Sequence, residues 1–446
     1  MDTLTDLSLD DALRMAMAMH REDQIEGAAQ LYERILAAAP GHPDALNLLG
    51  MARHQMGRSD EGVALIEQAV AAQPGFAGFH NNLGNVQMQR GALDAAAVAY
   101  ERAIALAPTD ADAHSNLGAL YKALERPAEA QAALVRAIEL NPHHISAINN
   151  LGLLYAKLGE REGAIRCYLR ALELMPSHRH ARKLLGTTYY TLGRIADAAE
   201  VYRQWLELEP TNPQARHLLA ACTGQAVPAR ADDDFVEQTF DGFAASFEQV
   251  LGERLGYQAP QLCAGLLARL LPPPARQFTV LDAGVGTGLC GPLLAPWARH
   301  LAGVDLSRNM LGVARAKGVY DELHKAELTA FLGAAPNPWQ LMVSADTLCY
   351  FGDLHAVLAA AAGALAPGGT LVFTVEALGD DDPLPHQLQP HGRYAHHARH
   401  IEAALAAAGL APLAREAVVL RQEGGKPVAG WLVGAQHRQP PWRRAG

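Results

Sequence analysis

Cysteine is scarce in this 446-residue chain, with five in all, at Cys167, Cys222, Cys263, Cys290 and Cys349. An odd number at wide spacing excludes a disulfide frame and fits no zinc motif, so reduced thiols in the cytoplasm are expected. Aromatic residues make up only 6%, so much of the core must be small aliphatic side chains, which favours closely packed helices. Charged residues are 19% against 50% hydrophobic, the opposite of a disordered composition. The balance of 37 basic and 47 acidic residues leaves a net charge of −10, which argues against nucleic acid or an anionic membrane as a broad partner. The N-terminus, MDTLTDLSLDDA, is acidic where a signal peptide would be basic and then apolar. The uncharged run 357–375 is long enough to span a bilayer. Pro367, Gly368 and Gly369 interrupt it, and a helix, a tight turn and a buried strand are expected there instead. Length alone suggests two or three domains.

The first half is periodic. Gly50, Gly84, Gly118, Gly152 and Gly186 lie 34 residues apart, each preceded by leucine. Prolines 40, 74, 108, 142, 176 and 210 share the period. So do the small residues Ala28, Gly62, Ala96, Ala130, Ala164 and Ala198 and the large ones Tyr32, Ile66, Tyr100, Leu134, Tyr168 and Tyr202. Small residues let the two helices of a unit approach, the large residue fills the gap to the next unit, and proline ends the second helix. This pattern resembles the tetratricopeptide repeat (TPR). One degenerate unit near 9–42, five clear units over 43–212 and a capping helix over 213–223 are expected. Glu125 stands where Gly57, Gly91, Gly159 and Gly193 occupy the neighbouring units.

Such arrays form a concave groove. Asn82, Asn116 and Asn150 recur just before the Leu-Gly pair, with Asn81 and Asn149 beside two of them. An amide row of this kind can hydrogen-bond an extended peptide, and it resembles the asparagine ladder of O-linked N-acetylglucosamine transferases. The other reading is polar filler that satisfies neighbouring repeats. Lys122, Lys157, Lys183 and His180 are expected on the same face, where they would attract an acidic ligand.

The period fails after Thr223, and residues 224–234 (GQAVPARADDD) read as a linker. Helical stretches then alternate with β-branched runs, as in a parallel α/β sheet. Strands are expected over 278–283, 301–305, 341–345, 370–375, 417–422 and 428–434, the last two as an antiparallel hairpin turning at Gly424 and Gly425. The run Asp282-Ala283-Gly284-Val285-Gly286-Thr287-Gly288 is a strand entering a glycine loop and then a helix, whose free N–H groups would meet an anionic group. Leu289 occupies the position where a dinucleotide fold wants its third glycine. Asp305 ends the next strand, where a carboxylate can accept both ribose hydroxyls.

This half resembles a class I S-adenosylmethionine-dependent methyltransferase, and more closely those that follow N-terminal tetratricopeptide repeats. The resemblance rests on Phe240-Asp241, Phe243-Ala244 and Phe247, Leu255-Gly256-Tyr257, the glycine loop and the segment GVDLSRNML. It continues through Tyr320-Asp321-Glu322-Leu323, ADTLCYFGDL, LAPGG and RYAH. The implied architecture is a TPR α-solenoid (9–223), a linker (224–234), a Rossmann-like domain (235–437) and a tail (438–446). The implied sheet is mostly parallel, with seven strands, and ends in an antiparallel hairpin. The resemblance places the methionine part of S-adenosyl-L-methionine on Asp282, Gly284, Gly286 and Gly288. It places the ribose on Asp305 beside Leu306, and the adenine near Met310 and Glu327 or Leu328. A lid over 240–257 would bring Phe243 and Phe247 over the cofactor. The chain departs from the family at Glu327, usually a shorter acid, and at Trp339-Gln340, usually Phe-Asp.

Transfer from a sulfonium methyl needs alignment and exclusion of water, and a poor nucleophile needs a base. Candidates are Asp346, Tyr350, His355 and His396. Cys349 and Tyr350 lie just past the fourth strand, facing the donor methyl in the analogous position. Arg393 and Tyr394 would orient an anionic acceptor, or Arg393 makes a structural salt bridge. The histidines 386, 391, 396, 397 and 400 fit no metal motif, and no metal is expected. Two functions compete: methyl transfer to a protein, peptide or small-molecule acceptor, and a TPR scaffold with a cofactor-binding but non-catalytic domain. A nicotinamide oxidoreductase is disfavoured by Leu289.

Overall fold

The computed structural model describes residues 8–438, apart from 245–246, 250, 252–254, 335–338, 380 and 424–425. The expected hairpin turn at Gly424 and Gly425, part of the expected lid and nearly all of the tail lie outside the described residues. The chain divides into two compact units, Met1–Thr188 and Tyr189–Gly446. No described helix is long and apolar enough to cross a membrane.

The first unit is built of helix pairs. They are α1 (Leu9–Arg21) with α2 (Ile25–Ala38), α3 (Pro43–Gln55) with α4 (Ser59–Ala72), and α5 (Ala77–Gln89) with α6 (Leu93–Leu106). Then come α7 (Ala111–Ala123) with α8 (Pro127–Leu140) and α9 (Ile145–Lys157) with α10 (Arg161–Leu174). Helix α11 (Arg179–Thr191) crosses into the second unit. The repeat glycine is explained by its own unit. A Cβ on Gly84 would lie 2.5 Å from Cε1 of the Tyr100 ring, and one on Gly152 2.6 Å from Tyr168 Cε1. The large residue therefore seats on the glycine of its own unit as well as reaching the next, where Tyr100 packs with Leu117 and Leu120. Glu125 takes the left-handed turn with φ 58°, as Gly57, Gly91 and Gly159 do at about 80°, a conformation that disfavours a side chain.

The second unit opens with α12 (Ile195–Leu208) and α13 (Pro213–Thr223), the latter capped by Asn212 through Ala215 N and ended by Gly224 at φ 67°. This unit thus begins upstream of the expected linker, and part of that linker is fixed. Ala231 N donates to Tyr350 O, and Gly352 N and Asp353 N donate to Ala229 O. The short helices α14 (Asp233–Asp241) and α15 (Phe247–Gln249) follow; His217 of α13 stacks on Phe235 of α14 at 4.0 Å, and its Nε2 bonds Gly392 O at 2.8 Å.

Nine strands are described: β1 (Phe278–Ala283), β2 (Ala298–Asp305), β3 (Glu322–Lys325), β4 (Trp339–Ser344), β5 (Leu365–Ala377), β6 (His386–Leu388), β7 (Tyr394–His396), β8 (Leu410–Glu423) and β9 (Lys426–His437). The pairing β3-β2-β1-β4-β5-β9-β8 gives the expected seven, parallel up to β5, with β9 antiparallel to both β5 and β8. Strands β6 and β7 form an added ribbon, β7 pairing in parallel with the end of β5 at Glu376 and Ala377. Between 357 and 375 the helix α20 (His355–Ala364) runs straight into β5, and the Pro-Gly-Gly segment is an irregularity within that strand's pairing. One face of the sheet buries Leu281, Met342 and Phe373 beneath α20 and α21 (Ala398–Ala407); the other buries Val280, Val343 and Val372 beneath α16 (Ala259–Leu270).

Candidate active site

A cavity of about 260 Å³ opens at the C-terminal ends of β1, β2 and β4, the end at which open α/β sheets bind ligands. The glycine loop forms its floor. Gly284 has φ 85° and Gly286 φ 52°, values that L side chains avoid. Gly284 N and Val285 N both donate to Val304 O, pinning the loop to β2. The next helix, α17 (Gly291–Leu294), is a single turn. The expected helix after the loop is thus present only as this one turn, with Pro292 in its first turn and Pro296 just beyond its end, where proline cannot continue a helix.

Asp305 is the hinge of the site. Its Oδ2 accepts from Gly286 N at 2.8 Å and its Oδ1 from Ser307 N at 2.9 Å. Burial raises its pKa, while these backbone donors oppose the rise. Ser307 caps α18 (Arg308–Ala316), and Asp241 holds that corner through Ser307 Oγ at 2.5 Å and Asn309 N at 3.1 Å.

Of the residues expected at the cofactor, Gly284, Gly286, Asp305, Leu306, Met310, Glu327, Leu328 and Phe243 all line the cavity. Asp282 and Gly288 are not among its lining residues. Asp282 is buried behind the loop, accepting from Tyr320 O–H at 2.6 Å. Burial pushes its carboxyl up to about 7, with the Asp305 charge adding to the effect and the Tyr320 bond opposing it. Gly288, at φ 84°, packs against Ala314 and Tyr320. Glu327 precedes α19 (Leu328–Ala334); its Oε2 caps Ala330 N at 2.8 Å, and its Oε1 is buried with no partner.

The candidates for catalysis separate. Asp346 and Tyr350 line the cavity. His355 is exposed at the start of α20, its Nδ1 2.6 Å from Asp353. His396 is fully buried in β7 with Nε2 donating to Phe351 O at 2.8 Å, and burial pushes its pKa down to about 3. Cys349 is buried in the turn Leu348–Tyr350 with its thiol on Asp346 O, and burial raises its pKa far above the thiol range. Cys290 is a buried packing residue. Tyr394 bonds Pro228 O and is not among the cavity-lining residues.

Sequence reasoning singled out Asp346 and Arg393 but missed their partners at the far wall of the cavity, Arg421, Glu423 and Glu376. Arg421 and Glu423 of β8 and Arg393 line it, backed by Glu376 of β5. Arg421 bonds Asp346 Oδ2 at 2.6 Å, Glu423 at 2.7 Å, and Glu376. Arg393 bonds Glu376 at 2.6 Å and Glu423, so the salt-bridge reading of Arg393 is the one observed. Burial acts to raise the Glu376 carboxyl, yet His391, Arg393 and Arg421 overcome it and hold that carboxyl well below the usual range. The available signal was Glu376 itself, a single charge inside the apolar run LVFTVEAL. Aromatic rings cover the opening: Phe240 meets Tyr350 edge-on at 5.6 Å, and Phe243 meets Phe247 at 5.3 Å.

In the first unit the amides bond to one another. Asn82 donates to Asn47 at 3.1 Å, Asn116 donates to Asn81 at 3.0 Å, and Lys122 Nζ donates to Asn150 at 2.8 Å. Lys157 pairs with Glu125 at 3.0 Å. Burial, and then the Lys157 charge, lower the Lys122 pKa.

The glycine loop, the acid at the end of β2 and most of the seven-strand sheet fall within a segment that matches a methyltransferase family, and most of the helix pairs fall within segments that match tetratricopeptide repeats. Residues 255–415 match the family described as a methyltransferase domain, and tetratricopeptide repeat families match 19–83, 84–125, 111–144 and 149–213. The chain is 39% identical over 85 residues to Methyltransferase-like protein 27 of Homo sapiens, covering 19% of this chain and 34% of that protein. It is 30% identical over 99 residues to Ubiquinone biosynthesis O-methyltransferase of Aromatoleum aromaticum, covering 21% and 42%. It therefore spans less than half the length of each of these relatives. Among solved structures, MamA is similar at 27% identity over 36% of this chain and 93% of that one, with a TM-score of 0.32.

Proposed function

We propose that this chain transfers a methyl group from S-adenosylmethionine to an acceptor, and that its repeats recruit a protein or peptide substrate or partner. The observation that carries the reading is Asp305, a half-buried carboxylate oriented by two backbone donors at the cavity edge. The donor set fits the cofactor. Asp305 would accept the ribose hydroxyls, Leu306, Met310 and Leu328 would sandwich the adenine, and the unpartnered Glu327 Oε1 suits an amino group. Gly286 leaves the floor open, since a Cβ there would meet nothing within 4 Å. When bound, the cofactor supplies a methyl already activated by its sulfonium. Phe240, Phe243 and Phe247 would exclude water from it, and Asp346 and Tyr350 would position the acceptor. Calorimetric titration of S-adenosylmethionine into the full chain tests the reading. Loss of a charged hydrogen-bond acceptor costs about 1.5–3 kcal/mol, so Asp305→Asn should weaken binding roughly 10- to 100-fold. No binding by the wild type, or equal binding by the variant, would remove the basis of the proposal.

A further inference from the structure

The acceptor end of the cavity has an unusual charge balance. Three carboxylates, Asp346, Glu376 and Glu423, share two guanidiniums, Arg393 and Arg421. Setting His391 aside, the cluster carries a formal −1. Both arginines are already committed to carboxylates, and the other arginine of the wall, Arg230, is paired with Asp233 at 2.5 Å. What the cluster offers is an acceptor: Asp346 Oδ2 is held by Arg421, while Oδ1 is buried and has no partner. The backbone at Asp346 sits at φ 60°. This left-handed conformation is uncommon outside glycine, asparagine and aspartate, and it recurs at ligand sites. The Asp346 N–H is fixed by Thr374 Oγ1 at 2.9 Å, which holds the residue in this conformation.

We infer that this end of the cavity takes an amine nitrogen as the methyl acceptor, bound through Asp346 Oδ1, and rejects carboxylates and phenols. This rests on the cofactor reading above. The reason is charge. A carboxylate or phenol oxygen must attack as an anion, and an anion beside a buried net negative cluster is disfavoured. A neutral amine instead becomes cationic, and the cluster favours that product. The amine is drawn to the cluster as an ammonium and first gives a proton to Asp346; the freed nitrogen lone pair then forms the N–C bond while the C–S pair leaves with sulfur, giving a neutral thioether and a methylated ammonium, and Asp346 afterwards releases its proton to water.

Matched probes decide the matter. Benzylamine, phenol and benzoate are titrated calorimetrically into the full chain, with and without S-adenosylhomocysteine. N-acetyl-lysine methylamide, run alongside, distinguishes a protein-borne amine from a free one. The expected result is at least tenfold tighter binding of the amine that fits, and at least a tenfold loss in Asp346→Asn with S-adenosylhomocysteine affinity unchanged. Asparagine tolerates the left-handed backbone, and Glu423→Gln gives a second test should that variant fold poorly. Benzoate or phenol binding as tightly as the amines, no probe binding, or amine affinity unmoved in both variants would overturn the inference. Failure of the cofactor reading would show separately, as absent S-adenosylhomocysteine binding.

Discussion

Asp282 should make the protein less stable as pH rises, and one substitution should expose this. The side chain is 1% exposed, and its carboxyl is raised by burial from an ordinary 3.8 to about 7. Between those values the folded chain holds a proton that the unfolded chain has released, so stability falls with rising pH across that window and is lowest above 7. A gap of about three pH units at roughly 1.4 kcal/mol each sets the full cost at about 4 kcal/mol, of which about 2–3 kcal/mol falls between pH 5 and 8. Asp282→Asn keeps an oxygen for the Tyr320 hydroxyl and removes the charge. The stability of the variant relative to wild type should therefore improve by about 2–3 kcal/mol from pH 5 to pH 8. Urea denaturation of the full chain followed by tryptophan emission is the assay, because all five tryptophans lie beyond residue 188. Other titrating groups cancel in the difference between the two proteins. A cationic ligand in the neighbouring cavity lowers the pKa of a buried acid, so saturating S-adenosylmethionine should shrink the effect. A difference between variant and wild type that stays constant from pH 5 to 8 would refute the reasoning.

Other expectations follow from the same geometry. His396 is held neutral by burial with its pKa at about 3. Its contribution is complete above the unfolded value near 6.5 and is lost as pH falls toward 3, by up to about 5 kcal/mol. His396→Gln, which keeps a donor for Phe351 O, should flatten the acid limb of the denaturation profile; an unchanged limb would count against this. Gly84→Ala drives a Cβ to 2.5 Å from the Tyr100 ring and should cost about 1–3 kcal/mol by overpacking. Gly312→Ala on α18 meets nothing within 4 Å and should gain up to about 1 kcal/mol from helix propensity. Thermal melts of the two variants shifting in the same direction would contradict the packing account.

Local patterns explain what was readable in advance. The 34-residue series exposed the repeats because Gly50, Gly84, Gly118 and Gly152 each answer to a ring or branched side chain sixteen residues later. The glycine loop and Asp305 were legible because strand, turn and acid are close in sequence. The arginine–carboxylate cluster was not, since its members come from β5, β8 and the segments around Asp346 and Arg393, brought together only by sheet order. Strands β3, β6 and β7 have three or four residues each, too few for alternation to register. Asp282 and Gly288 share the loop's motif but serve its support: one packs behind it and the other lets α18 and Tyr320 approach.

The central claim is methyl transfer, and one measurement addresses it directly. Full-length protein is incubated with methyl-labelled S-adenosylmethionine and a cell extract, beside Asp305→Asn under the same conditions. The account predicts label incorporated by the wild type and lost, or reduced roughly 10- to 100-fold, in the variant, in line with the loss of a charged hydrogen-bond acceptor. No incorporation by a wild-type protein that binds the cofactor, or equal incorporation by both proteins, would contradict it.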